Sequence, residues 1–295
     1  MTQLALGTVQ FGTDYGITNR SGRVAEQEVR EIVLAAVNAG VSVLDTAAAY
    51  GDAEYVVGRC LPPGSRLRII TKTVPLRTEH IDSGSLNKVS QGIERSMELL
   101  MRPQLDGVMV HHAKDLLVPG GDKLFALLQA EQAQGRIGKI GVSVYGTAEL
   151  AALVPRYPIE LVQLPLNVLD QRLLTAGWIH RLHEAGVEIH VRSAFLQGTL
   201  LADAGSLPDR IGVIKAGVRN FQNVCSGAGL DRTEMCLGFL QSLQGISYVV
   251  CGVAGLQQFS EIAAAWERCK ALAAADYAPF ALPDHPYLSP ANWPR

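Results

Sequence analysis

Asp45, Tyr50, Lys72 and His111 are the residues of this sequence whose types and order suit proton transfer. A free tyrosine titrates at about 10, too high for ready proton exchange at neutral pH. A lysine ammonium within a few ångströms favours the phenolate and lowers that value. A carboxylate paired with the lysine fixes its position and keeps it charged when partly buried. A histidine beside the phenol can hydrogen-bond a substrate oxygen and orient it. The set suits carbonyl reduction, which needs a hydride donor plus a proton donor aimed at the developing alkoxide. Singly, each residue has a plainer role: Asp45-Thr46 as a helix cap, Tyr50 as loop packing, Lys72 as a strand-end surface charge. Ile69, Ile70 and Val74, however, draw Lys72 inward.

The set acts together only if the fold gathers it. Short β-branched apolar runs alternate with longer segments of helical period. Strands are expected at 4–8, 42–46, 68–73, 107–111, 139–143, 161–166, 188–193 and 247–252. Helices are expected at 25–39, 86–101, 123–134, 147–153, 175–185, 232–243 and 256–270. Gly40, Gly135 and Gly186 each stop a helix just before a strand, the grammar of parallel βα units. Eight continuous apolar strands predict an α/β fold, a closed (β/α)8 TIM barrel. The rival open sheet lacks its G-x-G-x-x-G fingerprint, since the chain reads Gly7-Thr8-Val9-Gln10-Phe11-Gly12 after strand one. In a barrel, strand ends converge on one mouth. Asp45, Lys72, His111 and Ser143 end strands two to five, Gln163 lies in strand six, and Tyr50 follows strand two.

Residues 1–295 are read as one domain, with 271–295, which hold five prolines, as a C-terminal tail at the barrel mouth. The 26 basic residues nearly balance 28 acidic ones, without the basic stripe of a nucleic-acid binder. No signal peptide or membrane span is expected. Five scattered cysteines suit reduced thiols in the cytoplasm, with no metal site. His180 and His183 are read as an exposed helix face.

The stretches Asp45-Thr46-Ala47-Ala48-Ala49-Tyr50-Gly51, Ile70-Thr71-Lys72 and Asp106-Gly107-Val108-Met109-Val110-His111 resemble the aldo-keto reductases in the order and spacing of an Asp, Tyr, Lys, His tetrad. The opening Leu6–Gly12 and Gly141-Val142-Ser143 are similar too, and the likeness runs from about residue 3 to 265. The resemblance implies Tyr50 as general acid, Lys72 as its activator, Asp45 as the partner of Lys72, and His111 as the residue orienting the carbonyl. It implies NADPH as cofactor and a small-molecule carbonyl as substrate. Ser143 and Gln163 would hold the nicotinamide carboxamide. Gly7, Thr8 and Asp45 would lie beside the cofactor, and Arg192 would face the nicotinamide. The loops carrying Phe195, Leu196, Gln197 and Gly198, and Gly252, Val253 and Gln258, would cradle its phosphates.

Three departures stand out. Val144 follows Ser143 where the family often has Asn, and Arg192 stands where many members stack an aromatic ring. Past strand eight, Ala254, Gly255, Gln257, Gln258 and Glu261 replace the Lys and Arg that grip the 2′-phosphate of NADPH in many relatives, which leaves NADH use open. The hairpin that plugs the barrel bottom in many members is absent or very short. Gln10, Tyr15, His112, Tyr145, Asn167 and Arg192 are expected at the mouth, which suits a hydroxylated or sugar-like carbonyl, and Trp293 is a candidate to close over it. Asn19 is a further candidate for the mouth. A monomer or weak homo-oligomer is expected, acting on no nucleic acid or membrane. Two other classes fit parts of the sequence: a cofactor-binding regulatory sensor, and a metal-dependent barrel hydrolase that would use His111 and His112.

Overall fold

Eight parallel strands close on themselves in sequence order: β1 (Gln3–Gly7), β2 (Val43–Asp45), β3 (Arg68–Lys72), β4 (Leu105–Val110), β5 (Ile137–Ser143), β6 (Leu161–Pro165), β7 (Glu188–Arg192) and β8 (Tyr248–Gly252). The computed structural model describes residues 1–269 and 274–294. The helices are α1 (Val9–Gly12), α2 (Glu26–Asn38), α3 (Ala53–Cys60), α4 (Ser83–Leu100), α5 (Gly121–Ala133), α6 (Thr147–Leu153), α7 (Arg172–Thr175), α8 (Trp178–Glu184), α9 (Gly212–Ala228), α10 (Arg232–Ser242) and α11 (Leu256–Arg268). This is the (β/α)8 TIM barrel expected from the alternation of short apolar runs and helical segments.

Side chains alternate across a strand, so every second residue faces the barrel axis. One face of each strand, with Leu6, Leu44, Val108 and Val249, joins the large core under the helices. The other face supplies a small separate cluster in the barrel's middle: Ala5, Val43, Ile70, Met109, Leu161 and Val250. Two residues further along the same face stand Gly7, Asp45, Lys72, His111, Gln163 and Gly252. Two residues before it, on β3 and β8, stand Arg68 and Tyr248. The interior is therefore layered: a polar bottom, an apolar middle and a polar mouth. The expectation of continuous apolar strands missed this inward alternation.

Gly40 and Gly186 stop their helices in the left-handed conformation, with φ of 78° and 71°. The helix expected at 175–185 begins only at Trp178, as α8, because Gly177 before it turns left-handed, φ 74°. Four helices, α1, α3, α7 and α9, were not expected. α1, α3 and α7 are each eight residues or shorter, and α9 holds Gly212, Gly217 and Gly227. Yet α9 buries Ile214, Val218, Phe221 and Cys225 on one face, and Leu169 and Leu282 pack against Gly217.

Of the tail, residues 271–273 and 295, like Lys270 at the end of an expected helix, lie outside the described residues. The rest packs on α9 and the loop after β6. Phe280 meets Phe221 with ring centroids 5.2 Å apart. Leu282 N–H donates to Leu169 O at 2.9 Å, and Arg172 pairs with Asp284 at 2.9 Å. The expected cover over the mouth is not formed, since no described tail residue lines the cavity there. Trp293 instead donates its Nε1–H to Tyr287 O at 2.7 Å, because an indole N–H must find an acceptor once packed away.

Candidate active site

The end of β3 carries Lys72 into the interior, where its ammonium is 1% exposed. A charge so buried must be paired. Lys72 Nζ donates to both oxygens of Asp45, at 2.7 and 2.8 Å, and to Thr46 O at 2.9 Å. Burial works most strongly against its charge, but Asp45 and Tyr50 together outweigh it and hold the ammonium above the ordinary lysine pKa. Gln163 Nε2 donates to the same carboxylate at 2.7 Å, so one acid ties β2, β3 and β6 together.

Above this pair lies Tyr50, its ring centroid 5.0 Å from Lys72 Nζ. His111 meets that ring edge-on at a centroid distance of 5.9 Å. The phenol pKa is raised, not lowered as the lysine alone would have it. Burial dominates, Lys72 opposes it, and the Asp45 charge adds to the rise. His111 is driven the other way, to about 3, by burial first and then by the positive charges of Lys72 and Arg192. The imidazole is neutral, and its buried Nδ1 has no hydrogen-bond partner.

A cavity of about 790 Å³ opens here, within the range of small-molecule sites. Of the residues expected to hold a cofactor, Gly7, Thr8, Asp45, Ser143, Gln163, Arg192, Phe195, Gln197, Gly198, Gly252 and Gln258 all line it. Leu196 and Val253 do not: their apolar side chains are buried in the core, which leaves only backbone to offer. Tyr50 and His111 line the cavity, whereas Lys72 lies beneath it.

Arg192 is less free than expected. Its guanidinium lies over the Tyr145 ring at 4.3 Å and donates to Val144 O at 3.0 Å. Of the other polar residues expected at the mouth, Gln10, Tyr15, Asn19 and Tyr145 line the cavity. His112 and Asn167 do not. His112 Nδ1 lies 2.8 Å from the buried Asp115 carboxylate. Asn167 donates to Ser193 O and accepts from the N–H groups of Leu169 and Asp170. His111 and His112 thus part ways at the strand end, as alternation requires. Among the described residues no group of three His, Cys, Asp or Glu side chains is placed to hold a metal ion, and no helix is long and apolar enough to cross a membrane.

Two loops wall the cavity. After β7, Ser193, Leu196, Gln197 and Gly198 all take positive φ, between 46° and 82°. The change from negative to positive φ between Phe195 and Leu196, within this turn, directs N–H groups toward one concavity, the geometry of an anion nest. This loop is tied to the loop after β1: Thr18 Oγ1 donates to Gln197 O at 3.0 Å, and Ile17 N–H to Gln197 Oε1 at 3.2 Å. A Cβ on Gly198 would fall 2.1 Å from Thr18 Oγ1, so the crossing needs glycine there. Nothing in the spacing of residues 13–24 signalled this contact with a loop some 180 positions away.

The sequence model of the Aldo/keto reductase family matches residues 3–279. A curated relative, aldo-keto reductase YhdN of Bacillus subtilis, is 25% identical over 180 residues, covering 58% of this chain. That match spans about half of the relative, 52% of its length. Among solved structures, aldo-keto reductase AKR11C1 from Bacillus halodurans in its apo form superposes with a TM-score of 0.74 at 19% identity, covering 94% of this chain and 90% of that one. The glycerol dehydrogenase AKR11B4 from Gluconobacter oxydans does so with a TM-score of 0.70 at 18% identity, covering 94% and 89%. At such identities the two structures speak for the fold alone.

Proposed function

The chain belongs to the aldo/keto reductase family, and from that premise we propose that it reduces an aldehyde or ketone with a nicotinamide coenzyme, Tyr50 acting as general acid. The observation that carries this reading is the buried Lys72–Asp45 pair set under the Tyr50 ring, with neutral His111 across from it.

The coenzyme fits the residues at hand. Gln163 commits its Nε2 to Asp45 and keeps Oε1 for an amide donor, and Ser143 lines the cavity beside it. The nest after β7 suits a pyrophosphate. Gly7 and Gly252, neighbours across β1 and β8, leave room against the wall, where a Cβ on Gly252 would meet Gln10 Oε1 at 2.5 Å. When bound, the nicotinamide supplies the hydride.

The rest falls to the protein. As the carbonyl oxygen gains negative charge, the Tyr50 hydroxyl donates its proton to it. A raised pKa keeps that proton in place until it is needed. Lys72, charged and immobile, stabilises the phenolate left behind. His111, uncharged, hydrogen-bonds the same oxygen without adding a proton of its own. Asp45 is the positioning residue, holding Lys72 from one side and Gln163 from the other. Polar Gln10, Tyr15 and Tyr145 at the mouth favour a hydroxylated, sugar-like carbonyl as substrate.

The test follows NADH and NADPH oxidation by wild type and Tyr50→Phe over aromatic aldehydes, simple ketones and open-chain sugars. Turnover is expected in wild type, with a loss of roughly 10²–10⁴-fold in the variant and unchanged coenzyme binding. Full rate in Tyr50→Phe would overturn the assignment of the acid. Coenzyme binding without turnover in either protein would favour the regulatory sensor instead.

A further inference from the structure

Two backbone elements along the cavity can meet an anion, and they stand in different states. The nest after β7 keeps its amides open: the N–H groups of Phe195, Gln197 and Gly198 have no hydrogen-bond partner among the described residues. The start of α11 is already occupied. Ala254 N–H donates to Gln258 Oε1 at 2.7 Å, and Leu256 N–H donates to Glu28 Oε1 at 2.9 Å. Glu28 arrives from α2, 228 positions away in the chain. Its carboxylate does at the helix start what a bound anion would do, satisfying an orphan donor and the positive end of the dipole.

That carboxylate stands directly behind the cavity wall and does not itself line it. Gly255, between the two donors, lines the cavity, and a Cβ built on it would fall 2.9 Å from Glu28 Oε1. Glu261 lines the same end and accepts from Gln257 Nε2 at 2.9 Å. No Lys or Arg of the segment from Gly252 to Glu261 lines the cavity. Its cations are Arg192, stacked on Tyr145 and acting on Tyr50 and His111 at the other end, and Arg20 on the exposed loop after β1.

Resting on the coenzyme reading above, we propose that this chain selects NADH over NADPH and that Glu28 is the specificity-determining residue. A dinucleotide with one pyrophosphate needs one anion site, which the β7 nest supplies. A 2′-phosphate adds a second dianion, which proteins meet with arginine or lysine forks. Here it meets a helix start whose amides are engaged and whose dipole is neutralised by a carboxylate of like charge to the phosphate. Ribose hydroxyls, by contrast, can donate to a carboxylate, the chemistry by which acidic residues hold an unphosphorylated ribose. The preference runs against the NADPH expected from family resemblance.

Binding decides the matter without turnover. Titration calorimetry with ADP and 2′,5′-ADP as probes, and fluorescence titration with NADH and NADPH, are run on wild type and on Glu28→Gln, which keeps an acceptor for Leu256 N–H and removes the charge. Wild type is expected to bind ADP at least tenfold more tightly than 2′,5′-ADP, and NADH more tightly than NADPH. In Glu28→Gln the ratio of the two ADP affinities should shift about tenfold toward 2′,5′-ADP. Wild type that prefers 2′,5′-ADP overturns the proposal, as does a ratio unmoved by the substitution. Failure to bind either probe or either coenzyme removes the coenzyme reading and this inference with it. Selective ADP binding without any turnover removes only the catalytic reading.

Discussion

Glu188, at the bottom of the barrel, receives hydrogen bonds from Arg68 at 3.1 Å and Lys139 at 2.6 Å, and His190 Nε2 lies 2.8 Å away. Arg68 reaches on to the Tyr248 hydroxyl, and the His190 and Tyr248 rings stand 4.9 Å apart. At the mouth, an equally polar set leaves groups unmet: His111 Nδ1 and Gln10 Oε1 are buried without a partner, and the cavity opens beside them. The two ends lie on opposite sides of one apolar layer, and β3 serves both, with Arg68 two positions before Ile70 and Lys72 two positions after it. The bottom pairs its charges on one another and does not open onto this cavity, although His190 Nδ1 is buried there without a partner. At the mouth Lys72 and Asp45 saturate each other, and the Tyr50 and His111 rings beside them line an open cavity. The difference teaches where stability and chemistry separate in this fold, with catalysis at the C-terminal end of the strands and stability at the other.

The strongest way to break that comparison is Lys72→Met, because this residue is at once a buried ion-pair partner and the support of the phenol. Leaving Asp45 buried without its cation should cost about 3–5 kcal/mol. Replacing both partners, as Asp45→Asn with Lys72→Met, should recover much of that stability, since a neutral buried pair carries little desolvation cost. Turnover should remain lost in both. Chemical denaturation and coenzyme oxidation measured side by side separate the two effects. A double variant that regained turnover would show that the pair serves folding alone.

Glu188→Gln tests the other end. Arg68 and Lys139 are 30% and 39% exposed, so solvent screens them and the cost is smaller, roughly 1–3 kcal/mol. The turnover number should stay within about twofold of wild type, because nothing at the bottom touches the cavity. Burial alone would raise the Glu188 pKa, but hydrogen bonds from His190 and Lys139 and the Arg68 charge hold it well below the ordinary carboxyl range. A depressed carboxyl lends stability above its unfolded value, about 4.3, and loses it as pH falls below. The variant's stability should therefore change less than that of wild type on acidification below pH 4. An equal acid slope, followed by circular dichroism, would contradict the saturated-cluster account.

Much of this was legible in the sequence, for identifiable reasons. The barrel followed from apolar runs and glycine stops, signals written within a dozen residues of one another. The tetrad followed from strand ends, because a side chain at the end of an inward face has nowhere to go but the mouth. The cluster of Glu188, Arg68 and Lys139 was not foreseen, since its partners lie up to 120 positions apart and only barrel closure brings them together. Glu28 escaped for the same reason, sitting in the first turn of α2 where an acid already has a local use. The phenol's pKa had the wrong direction because the sequence names a lysine but not how deeply the ring is buried. Asn167 and His112 were drawn to the mouth by chain position, whereas backbone N–H groups and Asp115 had claimed them first.

His111 offers the finest probe of the mouth, because its effect is nil at neutral pH and grows only as the medium turns acid. Burial and the neighbouring cations bring its folded pKa to about 3, against an unfolded value of about 6.5. Below that unfolded value the unfolded chain takes up a proton that the folded protein refuses, so stability is lost as pH falls from about 6.5 toward 3. At pH 5 the loss from this residue alone should be about 2 kcal/mol. His111→Gln keeps a hydrogen-bonding amide near the same ring but removes the titration, so its stability should exceed the trend of wild type below pH 6 and match it at pH 8. Glu188 acts in the same direction but at lower pH, and the two variants should therefore flatten different stretches of one curve. The turnover of wild type should show no step assignable to a histidine between pH 5 and 8, since the imidazole is neutral throughout. A histidine step in that window, abolished by His111→Gln, would mean that the mouth carries a charged imidazole and that its unmet Nδ1 is a proton donor in its own right.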